Sequence, residues 1–265
     1  MAVGLTYVGS LSTGSSNVSS QTWNFASDLS HTLNTGANVV VVLAVYFLNA
    51  NNRTVSSITS NSAGYSWYEL GFEAVASSGS WHPGGLYLGD ASSITSDDFT
   101  INVSGGTAKV RCQVWELTSA NDDLADWSSW SFQGDHKDTS ADFTFGGDLD
   151  FSTTGEDDGA GLAVMNASAT ICNTQDGDWT YRSFTPNGAT ADVVVSGQPT
   201  AFSHDIGLSG SGRQTGFMGI VGAASSGGGG LVLPQNQLSQ VRGGGAPHPM
   251  SSLDGGLIMN RRRAA

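Results

Sequence analysis

Val39-Val-Val-Val-Leu-Ala-Val-Tyr-Phe-Leu48 is the longest apolar run in the chain. Ten residues are too few to cross a bilayer as a helix, and their β-branched and aromatic character suits an extended strand. Shorter runs of the same kind recur on both sides of it, punctuated by Gly, Ser, Asn and Asp. They predict strands over about 18–26, 38–48, 55–60, 66–76, 85–89, 99–104 and 108–117. A second set follows over about 127–132, 142–151, 161–167, 179–184, 192–196 and 216–223. Many short strands with turn residues between them are the pattern of a sandwich or a barrel. No stretch carries helix caps at both ends, and residues 119–126 predict no more than a turn or two.

The two sets of strands look related. Thr35-Gly36 followed by Leu43-Ala44-Val45 matches Thr154-Gly155 followed by Leu162-Ala163-Val164 at a constant offset of 119 residues. A turn and a tryptophan come next in each, Trp67 and Trp179, and each set closes on an apolar strand. Three coincidences in the same order predict an internal duplication, with halves of about 17–120 and 121–226. The expected class is therefore all-β, an antiparallel, jelly-roll-like β-sandwich, internally duplicated, with an extended C-terminal arm. The body would cover 1–226 and the arm 227–265, where Gly227–Gly230 and Gly243–Gly245 act as spacers. Leu231, Leu233, Leu257 and Ile258 are the arm's apolar anchors, and Arg261, Arg262 and Arg263 its basic end.

Composition narrows the function. The chain has 265 residues, 38% of them apolar and only 12% charged, with a formal net charge of −13. That can bury a core, argues against coiled coils and long surface helices, and repels DNA and anionic lipid. The charge is unevenly placed, because residues 242–265 hold four arginines against one aspartate. Forked guanidinium groups suit carboxylate or phosphate, so this end is read as pairing with acids on a neighbouring copy, with packaged nucleic acid as the other partner it could touch. The first ten residues lack a basic stretch and an unbroken apolar core, so no secretory leader is expected. Cys112 and Cys172 are read as buried free thiols rather than as a disulfide framework.

Motifs for chemistry are absent from the sequence. It contains no P-loop and no nucleophile elbow, and its five histidines stand singly, without zinc-ligand spacing. The acid clusters Asp97-Asp98, Asp122-Asp123 with Asp126, and Glu156-Asp157-Asp158 do not follow a calcium-loop spacing. No catalytic residue, metal or cofactor is expected. Trp81, Trp127 and Trp130 are the tryptophans whose neighbours would suit stacking on a sugar ring.

The succession of Thr-Gly and the Val39–Leu48 run, then Val55-Ser-Ser-Ile-Thr-Ser-Asn-Ser-Ala-Gly64 leading into Trp67, then Val114-Trp-Glu-Leu117, resembles jelly-roll-like domains of virion proteins from tailed viruses of bacteria or archaea. Similar domains occur in bacterial surface proteins. The resemblance covers about residues 17–224 and rests on pattern. It implies a non-enzymatic structural role in a virion assembled in the host cytoplasm: capsid decoration, turret or head fibre, or a tail-associated protein. The partners it implies are sister copies and other capsid or tail proteins, with no membrane. A carbohydrate-binding adhesin contacting a host surface glycan is the alternative, and a glycosidase-like enzyme built on two facing carboxylates is the third reading.

Overall fold

The computed structural model describes residues 3–34, 38–48, 50, 52–60, 67–75, 82–90, 98–120, 132–149, 158–167, 179–185, 188–196 and 202–222. In chain order the first strands are β1 (Gly4–Ser12), β2 (Ser20–Asn24), β3 (Val39–Leu48), β4 (Thr54–Ser60), β5 (Trp67–Glu73), β6 (Gly84–Asp90), β7 (Asp98–Ser104) and β8 (Lys109–Thr118). Then come β9 (Phe132–Leu149), β10 (Asp158–Ala167), β11 (Thr180–Thr185), β12 (Gly188–Ser196) and β13 (Phe202–Gly222). One short helix, α1 (Phe25–Leu29), follows β2. Its first turn is capped by the Asn24 side chain, which accepts from the Ser27 amide, and Ser30 ends it in the left-handed conformation.

All the described pairings are antiparallel and form three sheets. The central sheet runs β1-β8-β3-β6-β5, the small sheet β2-β7-β4, and the outer sheet β11-β12-β10-β13-β9. Alternation along β3 places the central sheet between the other two. Val39, Val41, Leu43, Val45 and Phe47 pack with Trp23, Phe25, Phe99 and Ile101 on the small-sheet side. Val40, Val42, Ala44 and Tyr46 pack with Leu162, Val164, Phe217 and Val221 on the outer-sheet side. A strand covered on both faces must be apolar at every position. This is why residues 39–48 form an unbroken run instead of an alternating one, and all but Leu48 are buried.

The order β1-β8-β3-β6 facing β2-β7-β4 is the winding of a jelly roll, and it confirms the all-β sandwich read from the sequence. One strand departs from that winding, since β5 pairs with β6 on the central sheet rather than with β4. The outer sheet repeats the central sheet's order, with β9, β13, β10, β12 and β11 in the places of β1, β8, β3, β6 and β5. Adding the 119-residue offset to the bounds of β3 gives the bounds of β10. Both β5 and β11 carry a one-residue irregularity, at Glu69/Gly71 and at Tyr181/Ser183.

Several elements differ from expectation: β9 runs unbroken over Phe132–Leu149 where two strands, 127–132 and 142–151, are expected, and β13 begins at Phe202 rather than near 216. β1 belongs to the body and pairs with β8 over its whole length, so the first sheet begins well before residue 17. The strand expected over 18–26 gives way to α1 at Phe25. The described residues all belong to one compact unit, Met1–Ser225, and the expected arm, 227–265, lies outside them.

Candidate functional site

The departure of β5 creates the most distinctive surface of the body. Glycine allows it: a side chain on Gly85 of β6 would run into the Gly71 carbonyl of β5, and one on Gly71 would run into the Phe132 ring of β9. The β5–β6 pair can therefore close tightly while β9 packs over it. Among the described strands β5 is then an edge of the central sheet and β4 an edge of the small sheet. Between these two edges lies a groove of about 220 Å³ lined by Val55, Ser57 and Ile58 from β4, Trp67 and Glu69 from β5, and Tyr87 from β6.

The walls of this seam are chemically mixed. Trp67 is half-buried and stacks at a tilt on Phe99, with ring centroids 6.1 Å apart. Val55 and Ile58 are half-buried too, and both pack against the core. The Tyr87 hydroxyl donates to Glu69 Oε2 at 3.1 Å. Burial, reinforced by the Glu69 charge, pushes the Tyr87 phenol well above its usual range, so it stays a proton donor. A strand edge offers its unpaired N–H and C=O groups to an added strand, and pockets beside it select alternate side chains. Apolar Val55, Ile58 and Trp67 suit leucine-like side chains.

Most residues singled out in the sequence fall elsewhere. Trp81, Trp127, Trp130, Leu231, Leu233, Leu257, Ile258, Arg261, Arg262 and Arg263 lie outside the described residues, as does Cys172. Cys112 is a buried free thiol whose pKa is pushed up by burial, which makes it inert. Of the four described tryptophans, Trp23, Trp115 and Trp179 are core residues and Trp67 lines the seam. Among the described residues no group of three metal-ligating side chains comes together.

The buried carboxylates act as ties between elements. Glu116 of β8, 1% exposed, accepts from the Asn34 amide at 2.8 Å and from the Asn34 side chain, and lies 3.2 Å from His31 Nε2. That fixes the chain entering β3. Asp192 of β12 is also 1% exposed and joins two sheets. It accepts from Trp115 Nε1 of β8 at 2.8 Å and from Arg182 of β11 through Nε at 2.8 Å and Nη2 at 3.0 Å. Sequence reading missed the seam and both ties. Glu116 and Asp192 were visible only as lone acids inside strand patterns, where burial is costly unless paired.

No family model matches the chain, and comparisons with curated proteins and with solved structures find no match either.

Proposed function

We propose that the chain is a non-enzymatic structural protein of a tailed-virus particle, in which the arm of one copy docks on the body of the next. The open seam between β4 and β5, in an otherwise jelly-roll winding, is the observation that carries this reading. Jelly rolls serve widely as capsid modules, and an unfilled place beside an edge strand is where an added strand gains backbone hydrogen bonds. The segments around Leu231-Val-Leu233 and Leu257-Ile-Met259 supply apolar side chains at strand spacing for Val55, Ile58 and Trp67. The three arginines at 261–263 supply cations for a body whose residues 1–241 hold 22 acids. Buried carboxylates used as ties rather than left open to a cleft suit a structural role.

Assembly tests the proposal directly. The full chain, followed by size-exclusion chromatography with light scattering, is expected to form oligomers. A chain ending at 226 should keep the far-ultraviolet spectrum of a β protein and run as a monomer. If the shortened chain assembled into the same species as the full one, the arm-to-seam reading would be refuted.

A further inference from the structure

The layer between the central and outer sheets changes character along its length. At one end it is made of Val40, Leu88, Leu117, Ala160 and Val221, all buried and apolar. At the other end polar side chains appear on the same inward face of both sheets. In the central sheet Arg111 lies in register between Ser12 of β1 and Tyr46 of β3. In the outer sheet Asn166 lies in register between Gly188 of β12 and Thr215 of β13. A crevice of about 230 Å³ opens there, lined by Ser10, Ser12, Tyr46, Arg111, Gln113 and Thr190.

Two features of this end of the layer have no architectural account. Arg111 has no carboxylate within ion-pair distance among the described residues, in a chain with 23 acids. Asp192, two positions along β12 from Thr190, is already engaged by Trp115 and Arg182. Asn166 Nδ2 and Thr215 Oγ1 are buried without a hydrogen-bond partner among the described residues, their own residues being 1% and 0% exposed. By alternation with Val164 and Phe217 both side chains point between the sheets. Buried polar groups left unmatched are costly, and a polar crevice lined by a guanidinium with no carboxylate partner among the described residues suits a polar guest.

Among the described residues, the other titratable groups near Arg111 leave its charge uncompensated. Tyr46 accepts from Gln113 Nε2 at 3.1 Å, while Gln113 Oε1 accepts from the Tyr7 hydroxyl at 2.7 Å. Burial raises the Tyr46 phenol, against the opposing effects of Gln113 and Arg111, so it remains neutral. Burial and then the Arg111 charge lower His82 to about 4, so this ring is also neutral near pH 7.

We propose that this crevice binds a small hydroxylated oxyanion, of the class of the sugar acids. The carboxylate sits on the Arg111 fork, and the ligand's hydroxyls exchange hydrogen bonds with Ser10, Ser12, Gln113 and Thr190. The Tyr46 hydroxyl, held by Gln113, marks the inner wall. The site is independent of the arm and of the particle assignment, because it lies wholly within β1, β3, β8 and β12.

Titration of the full chain with glucuronate, glucose and sulfate, read by calorimetry and by the arginine side-chain signals in nuclear magnetic resonance, tests the site. Glucuronate is expected to bind and to shift the Arg111 signal, with glucose at least tenfold weaker and sulfate unable to displace it at equal concentration. Arg111→Gln should weaken glucuronate binding at least tenfold. Arg111→Lys, which keeps the charge and loses the fork, should weaken it by a smaller factor while the melting temperature stays within a few degrees of the parent. No glucuronate binding, equal binding of glucose, equal competition by sulfate, or full binding by a folded Arg111→Gln chain would each overturn the proposal.

Discussion

Replacing Asp192 by Asn tests whether one carboxylate holds the central and outer sheets together. The side chain keeps its size, but one face now presents an amide N–H₂ toward a donor. Either the Trp115 indole, wholly buried, or the Arg182 guanidinium loses its acceptor. An orphaned buried donor costs about 1–3 kcal/mol, and breaking a buried ion pair about 3–5 kcal/mol. Arg182 keeps a third of its side chain in water, which discounts the second figure toward that of an exposed pair. The expected loss is about 3 kcal/mol. For a chain of this size each kcal/mol lowers the melting temperature by about 2–4 °C, so Asp192→Asn should melt about 6–12 °C below the parent. A double-mutant cycle with Trp115→Phe isolates the indole bond, and about 1–2 kcal/mol of coupling is expected, since the hydrogen bond is charge-assisted. A variant melting within about 2 °C of the parent, or a cycle with no coupling, would show that the Asp192 contact contributes nothing to joining the layers.

Two further outcomes follow from the packing. His82 is buried and its pKa is held down at about 4 from an ordinary value of 6.5, so the unfolded chain takes up a proton that the native chain refuses. Its contribution is complete above pH 6.5 and is lost as pH falls toward 4, amounting to about 2 kcal/mol between pH 7.5 and pH 5; the stability difference between the parent and His82→Gln should shrink by that amount, and a difference flat with pH would refute the assignment. Gly71→Ala sets a methyl group against Phe132 and should cost about 2 kcal/mol by overpacking, seen as a melting temperature about 4–8 °C lower; an unchanged melting curve would mean that β9 does not press on β5.

How much of this was legible depended on what each residue could signal locally. The Val39–Leu48 strand was plain because nothing but an extended strand suits that composition at that length, and its offset to 158–167 was readable because both strands sit at the same place in their sheets. β1 was hidden by its own irregularity. Leu5 and Tyr7 pack toward the outer sheet, but the register shift after Tyr7 turns Val8 and Leu11 toward the small sheet, so no single alternation runs through Gly4–Ser12. α1 has five residues and a single buried side chain, Phe25, too little for a helical period to register. The seam was invisible for a different reason. Which sheet β5 joins depends on how closely Gly71 and Gly85 can approach across the chain, and no pattern within residues 67–73 carries that information. The Arg111 crevice needed three strands and a second sheet to assemble, so its members read separately as ordinary strand residues.

The central sheet's position between two others also sets a timetable for synthesis. β1 cannot pair until β8 has emerged about a hundred residues later, a long-range closure of the kind that slows folding. Even then, Val40, Val42, Leu86, Leu88, Trp115 and Leu117 have no cover until β10 and β13 arrive. For that interval the nascent chain carries a finished jelly-roll core with one adhesive face turned outward, the state in which growing chains associate wrongly. The outer sheet is thus what makes the first 120 residues safe to leave in solution.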